Sequence, residues 1–376
     1  MKVCIVSLNI VPLFDPTRGN HFGGAEVQAS FVADALRASG QHVSLVVSDL
    51  SDPHVIPYHT ENAFDSTEGI PGLRFFHPRW TGVMRALERA DADIYFQHCA
   101  GMITGLTAMF CRRASKVFVY GAGSDMDFAM RRGGVRGLRD SVMFSYGLSA
   151  SQGLVVQNER QRTAAARRFA KPTRVIPTGT PLLNPENHSH GDAVVWIGAM
   201  WRVKRPELFL ELARRMPDRH FLVIGSAGEL DARIRAEAKQ IPNLEMLGRM
   251  SRDEVSKVLR RSALLVNTSS VEGFPNAFLE AWNHGVPVVA FNDVDGIIRD
   301  AGVGAVCSTI DEMVVAIRDL TGDRTRLHPV RERARRLVRE RFSSQVLGPQ
   351  YVEFFEELLA AKHAARAPLG VSAGGV

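Results

Sequence analysis

Short runs rich in Val and Ile recur along this chain, each followed by a stretch of helical periodicity, and that alternation constrains the fold more than any other feature. The runs are VCIVSL, VSLVV, LRFF, IYF, VFVY, LVVQ and RVIP in the first half, then VVWIG, HFLVIG, LEML, ALLVN and PVVAF in the second. Helical patterns such as EVQASFVADALRASG and RPELFLELARRM lie between them. Strand, helix and strand in succession build parallel sheets through right-handed crossovers. Both halves show the pattern, and 376 residues exceed what one modest core holds. The expected fold class is α/β, with two Rossmann-like, doubly wound domains.

The segment PTGTPLLNPENHSHGDA, residues 177–193, lacks periodicity and is rich in Pro, Asn, His and Gly, which marks an interdomain linker. It divides a first domain, residues 1–183, from a second, residues 192–343. The pattern SSQVLGPQYVEFFEELLAAKHAA follows, and its internal Gly348–Pro349 predicts a kink or break. A helix is expected over 344–362 and a flexible tail over 363–376.

The opening MKVCIVSLNIVPLF has a single Lys, an Asn inside its apolar run and no small-residue cleavage site, so it reads as a buried strand and not as a secretion signal. No apolar run is long enough to span a bilayer. Cys4, Cys99, Cys111 and Cys307 show no CxxC pair and no metal-ligand spacing; they read as reduced cytosolic thiols. A formal net charge of +6 favours anionic partners. Aromatic content of 8%, with no RRM, KH, zinc-finger or helix-turn-helix signature, argues against nucleic acid. Basic clusters at 112–113, 130–140 and 159–174 fall in the first domain. They read either as a solvated face or as a surface for an anionic membrane, and the expected location is cytoplasmic, extending to the inner face of the membrane.

In an open α/β sheet, ligands bind beyond the carboxyl ends of the strands, near helix N-termini. Three loops occupy such positions. In NHFGGAEVQ, residues 20–28, Gly23 and Gly24 let backbone N–H groups approach a phosphate. In WIGAMWRVKRPELFLEL, residues 196–212, the loop cations Arg202, Lys204 and Arg205 precede Pro206 at the first helical position. In SSVEGFPNAFLEAWNHGVPVVAFND, residues 269–293, Glu272 lies in a loop and Glu280 on the helix that follows, with seven residues between them. A carboxylate on such a helix can accept two hydrogen bonds from a vicinal diol such as ribose, and the helix N-terminus can take a phosphate. Each loop also has an ordinary reading: a Gly-rich turn, a solvated charged loop, and a capping Glu beside a surface Glu.

Together the three loops carry a resemblance. EGFPNAFLEAWNHGVPVV resembles the signature of the family-four retaining glycosyltransferases, whose two glutamates bind a sugar nucleotide. GGAE resembles their first-domain glycine loop, WIG…KRPELFLELA their diphosphate-binding strand–loop–helix, and VLRRSALLVNTSSVEGFPN extends the match upstream. The resemblance covers residues 190–340 well. In the first domain it rests on GGAEVQ, DADIYFQHCAGMITGL and the strand pattern.

The resemblance implies a GT-B architecture, with the two domains facing a cleft and the last helix crossing back to the first. It implies that Glu272 faces the donor sugar, that Phe274, Pro275 and Asn276 lie along it, that Glu280 holds the ribose, and that Lys204 binds the diphosphate beside Gly198. Gly23 and Gly24 would approach the diphosphate from the other domain, and Arg249 or the Met250 backbone would touch the base. Two positions depart from the pattern. Ala199 stands where relatives carry Arg, which makes Arg202 the substitute charge. Gly121 follows Tyr120 where relatives place His, which leaves His21, His98 and Asp125 as candidates on the acceptor side.

The activity so implied is retaining transfer of a hexosyl unit from a nucleoside diphosphate sugar to a hydroxyl acceptor, lipid-linked or not, in bacterial-type polysaccharide or glycolipid synthesis. The nucleotide sugar is a co-substrate and no cofactor is expected. The tripeptides Asp91–Asp93, Asp125–Asp127 and Asp293–Asp295 have the spacing of a Mn²⁺ site, but none sits in a single-domain GT-A context, so no catalytic metal is expected. A sugar-nucleotide epimerase, or a degenerate protein that binds the nucleotide without turnover, fits the same residues.

Overall fold

The computed structural model describes residues 1–18, 23–70, 73–129, 137–183 and 191–366. The strands β1 (Lys2–Val6), β2 (His42–Val47), β3 (His59–Asn62), β4 (Ile94–His98), β5 (Val117–Gly121), β6 (Gly153–Val156) and β7 (Thr173–Val175) make one sheet in the order β3-β2-β1-β4-β5-β6-β7. The strands β8 (Ala193–Ile197), β9 (Phe221–Ile224), β10 (Leu244–Gly248), β11 (Ser262–Asn267), β12 (Val288–Ala290) and β13 (Gly304–Val306) make a second, ordered β10-β9-β8-β11-β12-β13. Neighbouring strands are parallel throughout. Parallel sheets bury both faces under crossover helices, which is why central strands such as β5 and β11 are buried at every position. An apolar cluster lies on each face of each sheet. This is the two-domain GT-B architecture.

Two strands escape the sequence pattern, and one expected strand is absent. Leu73–Phe76 forms no strand; Phe75–Trp80 makes an irregular helical turn, with Leu73 and Phe76 exposed. The strand of that region is β3, with the sequence HTEN. Both β3 and β13 are sheet edges that keep partly exposed residues, so neither needs the continuous apolar run that marks a buried strand.

The Ser344–Arg366 helix leaves the second domain and packs on the first. Leu347, Tyr351, Phe354, Phe355 and Leu358 are buried in the same cluster as Val3, Ile5 and Phe96. It runs unbroken through Pro349, against the expected kink, and extends past 362 to Arg366. A Cβ on Gly348 would lie 2.6 Å from the Ala35 carbonyl oxygen and 2.4 Å from Ser39 Oγ. The glycine therefore permits a close crossing with the Gly24–Ala38 helix and does not break the chain. Residues 367–376 of the expected tail lie outside the described residues.

Strand order reverses between β1 and β4 in the first sheet, and between β8 and β11 in the second. Loops leaving two such strands diverge to opposite faces and open a crevice at the carboxyl edge. The loop carrying Arg202 and Lys204 follows β8, and the loop carrying Glu272 follows β11.

Candidate active site

The two loops at the second switch point are tied to each other. Thr268 Oγ1 donates to the Lys204 carbonyl at 2.7 Å, and the Ser270 amide donates to the Val203 carbonyl at 2.8 Å. Arg205 adopts a left-handed backbone, φ 47°, that a side chain rarely takes. Its guanidinium compensates by donating to the Thr268 carbonyl at 2.7 Å and the Ser269 carbonyl at 3.3 Å, and it lies 4.8 Å from the Phe291 ring centroid. Arg205 is thus a bracket for the loop and its guanidinium is committed there.

Within that frame Lys204 Nζ meets both carboxylate oxygens of Glu272, at 2.7 and 2.8 Å. The Glu272 side chain is 8% exposed and that of Lys204 is 29% exposed. Asn267 Nδ2 donates to the same carboxylate at 3.2 Å, while its Oδ1 accepts the Ser269 amide at 3.0 Å. Asn267 went unnoticed in the sequence, where it reads as the last residue of a buried strand. Arg202 stands apart: it is 80% exposed and pairs with Glu229 at 3.2 Å. Gly198 follows the last residue of β8, and its amide donates to the Ile224 carbonyl at 3.0 Å.

Pro275 is the N-cap residue of the Asn276–Asn283 helix, with an extended backbone and no side-chain cap bond. Phe274 is buried against Phe342, with ring centroids 5.1 Å apart. Glu280 faces a cavity of about 270 Å³ shared with Thr180, Arg252, Ser256 and Asn283. Burial pushes the Glu280 carboxyl up from its ordinary range, and Arg252 pulls it partly back. In the loop after β10, Arg249 is exposed, while the Met250 side chain turns toward Leu222, Leu247 and Val258.

The first domain meets this site through side-chain amides. Gln28 Nε2 donates to the Gly179 carbonyl at 2.9 Å and to Asn276 Oδ1 at 3.0 Å, and its Oε1 accepts the Gly179 amide at 3.0 Å. Asn276 Nδ2 donates in turn to the Gly24 carbonyl at 3.3 Å. A Cβ on Gly24 would lie 2.6 Å from Asn276 Nδ2, so this glycine is required by the opposing domain. The Gly23 amide is taken by Glu26 Oε2 at 2.8 Å.

Asn158 Nδ2 bridges the Gly273 carbonyl at 2.9 Å and Asp125 Oδ1 at 3.2 Å, and Gln161 Nε2 adds a bond to Asp125 Oδ1 at 3.0 Å. Asp125 thus supports the seam beneath the Glu272 loop. His98 lies on the same edge, stacked on Phe96, and burial pushes its imidazole down to about 4, so it is neutral near pH 7. His21 lies outside the described residues.

The three acidic tripeptides have other work. Asp91 pairs with Lys116 and Lys2, and Asp93 accepts the Lys2 amide. Asp127 accepts Tyr120 Oη and the Gly123 amide. Asp293 accepts the Ile298 amide, and Asp295 accepts the Glu159 amide across the seam. Among the described residues, no group of three or more His, Cys, Asp or Glu is placed to hold a metal ion. The basic run 159–174 is likewise engaged: Arg160 pairs with Asp125, Arg162 with Glu159, and Arg174 with Glu353 and Glu357.

Residues 191–323 match the model of the family described as glycosyl transferases group 1. The chain is 27% identical over 232 residues to an exopolysaccharide phosphotransferase of Streptomyces coelicolor, across 57% of this chain and 24% of that protein. It is 26% identical over 175 residues to an uncharacterized glycosyltransferase of Haemophilus influenzae, across 43% of this chain and 49% of that protein. The matches therefore span half or less of these curated relatives. In fold, the chain is similar to sucrose-phosphate synthase from Thermosynechococcus elongatus, with a TM-score of 0.72 at 17% identity over 96% of this chain and 100% of that one. It is also similar to the Anabaena protein HepE, solved in complex with UDP and glucose, with a TM-score of 0.73 at 16% identity over 95% and 99%. The match to glycosyl transferases group 1 is thus confined to residues 191–323, within a chain whose fold is GT-B.

Proposed function

We propose that the protein is a retaining, metal-independent hexosyltransferase that uses a nucleoside diphosphate sugar and a hydroxyl acceptor. The observation that carries this reading is the Lys204–Glu272 pair, fixed at the second switch point beside the start of the Asn276–Asn283 helix. Departure of a nucleoside diphosphate builds negative charge on the phosphates and positive charge at the sugar ring. An ammonium and a carboxylate fixed side by side can answer both, Lys204 and the helix N–H groups at the phosphates and Glu272 at the sugar. Glu280, in its cavity, is suited to the ribose hydroxyls.

Glu272 is bound by Lys204 and Asn267, and Asp125 by Asn158 and Gln161. These bonds hold both carboxylates in place and disfavour either as a covalent nucleophile. We therefore favour attack on the face the diphosphate leaves, with a phosphate oxygen taking the acceptor proton. Lys204 and the N–H groups at the start of the Asn276–Asn283 helix can offset the diphosphate charge, which supports activity without a cation. UDP is the first donor nucleotide to test, given the HepE complex. Polysaccharide or glycolipid synthesis at the cytoplasmic face of a membrane, with a lipid-linked acceptor, is the setting we propose.

The test is incubation of the purified chain with UDP-, GDP- and ADP-sugars and simple alcohols in EDTA, with the anomeric configuration of the product read by NMR. A glycoside that keeps the donor's configuration is expected. An inverted product, a released epimer, or turnover only after Mn²⁺ is added would overturn the corresponding part of the proposal.

A further inference from the structure

The strand β11 ends in polar residues that a buried strand does not need for its own packing. Asn267, Thr268 and Ser269 follow the apolar run Ala263–Val266, and all three are buried. A buried polar group costs free energy unless it is paired, so the partners show what each residue is for. Thr268 Oγ1 accepts Trp196 Nε1 at 3.0 Å and donates to the Lys204 carbonyl, which fixes one loop to the other. The Ser269 carbonyl accepts Arg205 and Asn292, which fixes the backbone at the strand end. The Asn267 side chain differs from these, because it reaches a charged side chain.

The Asn267 amide has one workable orientation. The Ser269 backbone N–H can only donate, so the Asn267 oxygen faces it at 3.0 Å, and Nδ2 is left to donate to Glu272 Oε1 at 3.2 Å. The backbone thus sets the amide, and the amide sets the carboxylate.

The two oxygens of that carboxylate are held unequally. Among the described residues, Oε1 accepts both Lys204 and Asn267, whereas Oε2 accepts Lys204 alone. Lys204 reaches Glu272 from the other loop on a flexible stem and is partly exposed. Asn267 reaches it from the strand end and is buried. A diphosphate at the switch point competes with Glu272 for the ammonium. When Lys204 turns to the phosphates, Oε2 is freed toward the sugar and Oε1 keeps its bond to Asn267. A neutral donor suits that task, since it holds the carboxylate without cancelling its charge. An aspartate here would accept the Ser269 amide equally well but would repel Glu272.

We infer that Asn267 is a positioning residue, which keeps Glu272 in place while Lys204 exchanges the carboxylate for the donor's diphosphate. The exchange rests on the transferase reading; the hold on Glu272 does not.

Asn267→Ser separates the two bonds of the amide. A serine hydroxyl can accept the Ser269 amide in the same kind of turn but is too short to reach Glu272. In thermal melts, the double variant Asn267→Ser with Lys204→Ala should lose more melting temperature than the two single variants added together, because either partner alone still holds the carboxylate. Adding Glu272→Gln to the double variant should return most of that loss. An additive or smaller loss in the double variant, or no recovery in the triple, would overturn the hold. With whichever of UDP-, GDP- and ADP-glucose the wild type turns over, Asn267→Ser should lower kcat about ten-fold or more and change the donor KM by less than about three-fold. An unchanged kcat, or an equal loss in affinity for the free nucleoside diphosphate, would overturn the positioning role. A more than additive loss of melting temperature in a chain that transfers no sugar would leave Asn267 holding Glu272 and remove the transferase reading.

Discussion

The two sides of the cleft are built differently. On the second-domain side, backbone and side-chain bonds stitch the loops after β8 and β11 together and hold a charge pair at 2.7 Å. On the first-domain side, the contacts at the site run largely through the neutral amides of Gln28, Asn158 and Gln161, with Asn276 meeting Gln28 from the second domain. Fixed charge is worth most where it cannot reorganise, and amide contacts can part and re-form without stranding a charge. On the proposed function, the chemistry of the departing diphosphate belongs to the rigid side and any opening motion to the seam.

The largest effect should come from breaking the rigid side. Lys204→Ala removes the cation proposed to meet the diphosphate and leaves a nearly buried carboxylate without its ion-pair partner. We expect a fall in kcat/KM of about 100-fold or more. Stability should drop by roughly 2–3 kcal/mol, a value reduced from that of a fully buried pair because Lys204 is 29% exposed. Adding Glu272→Gln should restore much of the stability and none of the turnover, as thermal melts and rate assays would show. Full recovery of turnover in the double variant would mean that the pair is merely structural.

Glu280→Gln should weaken nucleoside diphosphate binding by roughly 1.5–3 kcal/mol with the fold intact, since a charge-assisted acceptor becomes a neutral one. Unchanged affinity in a calorimetric titration would detach Glu280 from the ribose.

Gln28→Ala sharpens the comparison from the other side. It removes three bonds around Gly179 and Asn276 and should cost about 1–2 kcal/mol of stability. It should alter kcat and KM together, as a seam residue does, and leave affinity for the free nucleotide nearly intact. Arg202→Ala should scarcely change stability, because an exposed pair contributes only about 0–1 kcal/mol. If Arg202 replaces the missing charge at Ala199, kcat/KM should still fall about ten-fold; a silent variant would leave Arg202 as a solvated partner of Glu229.

The smallest effect concerns pH within the first domain. Burial pushes the Asp127 carboxyl up to about 6 from 3.8. Its share of stability is full below pH 3.8 and is lost as pH rises through about 6. Burial pushes His98 down to about 4 from 6.5, so its share is full above pH 6.5 and is lost as pH falls through about 4. The two slopes oppose each other. Asp127→Asn should therefore steepen the loss of stability on acidification, and His98→Gln should flatten or reverse it, in melts taken between pH 4 and 6.5. Parallel profiles in both variants would contradict the burial argument.

The second half was far more legible in sequence than the first. Buried parallel strands such as ALLVN announce themselves as continuous apolar runs, and the motif EGFPNAFLE places Glu272 and Glu280 on a loop and its helix directly. Edge strands gave no such signal: HTEN is short and half-exposed, and its neighbour LRFF was apolar for a surface reason. The pairing of Lys204 with Glu272 was not legible, because 68 residues separate them and only the strand order β8-β11 brings their loops together. The same holds for Asn267 and for the amides of the seam, whose roles depend on partners in another loop or the other domain. Asp125 read as an acceptor residue, and proximity to Asn158 and Gln161 shows it supporting the Glu272 loop.

The central claim is that the second domain holds the donor's diphosphate through Lys204 and its ribose through Glu280. Calorimetric titration of UDP, GDP and ADP into the wild type, Lys204→Ala, Glu280→Gln and Gln28→Ala tests it most directly. At least one nucleotide should bind the wild type, with affinity reduced about ten-fold or more in each second-domain variant and within about two-fold of wild type in Gln28→Ala. Equal affinity in wild type and Lys204→Ala, or a larger loss in Gln28→Ala than in either second-domain variant, would contradict the account.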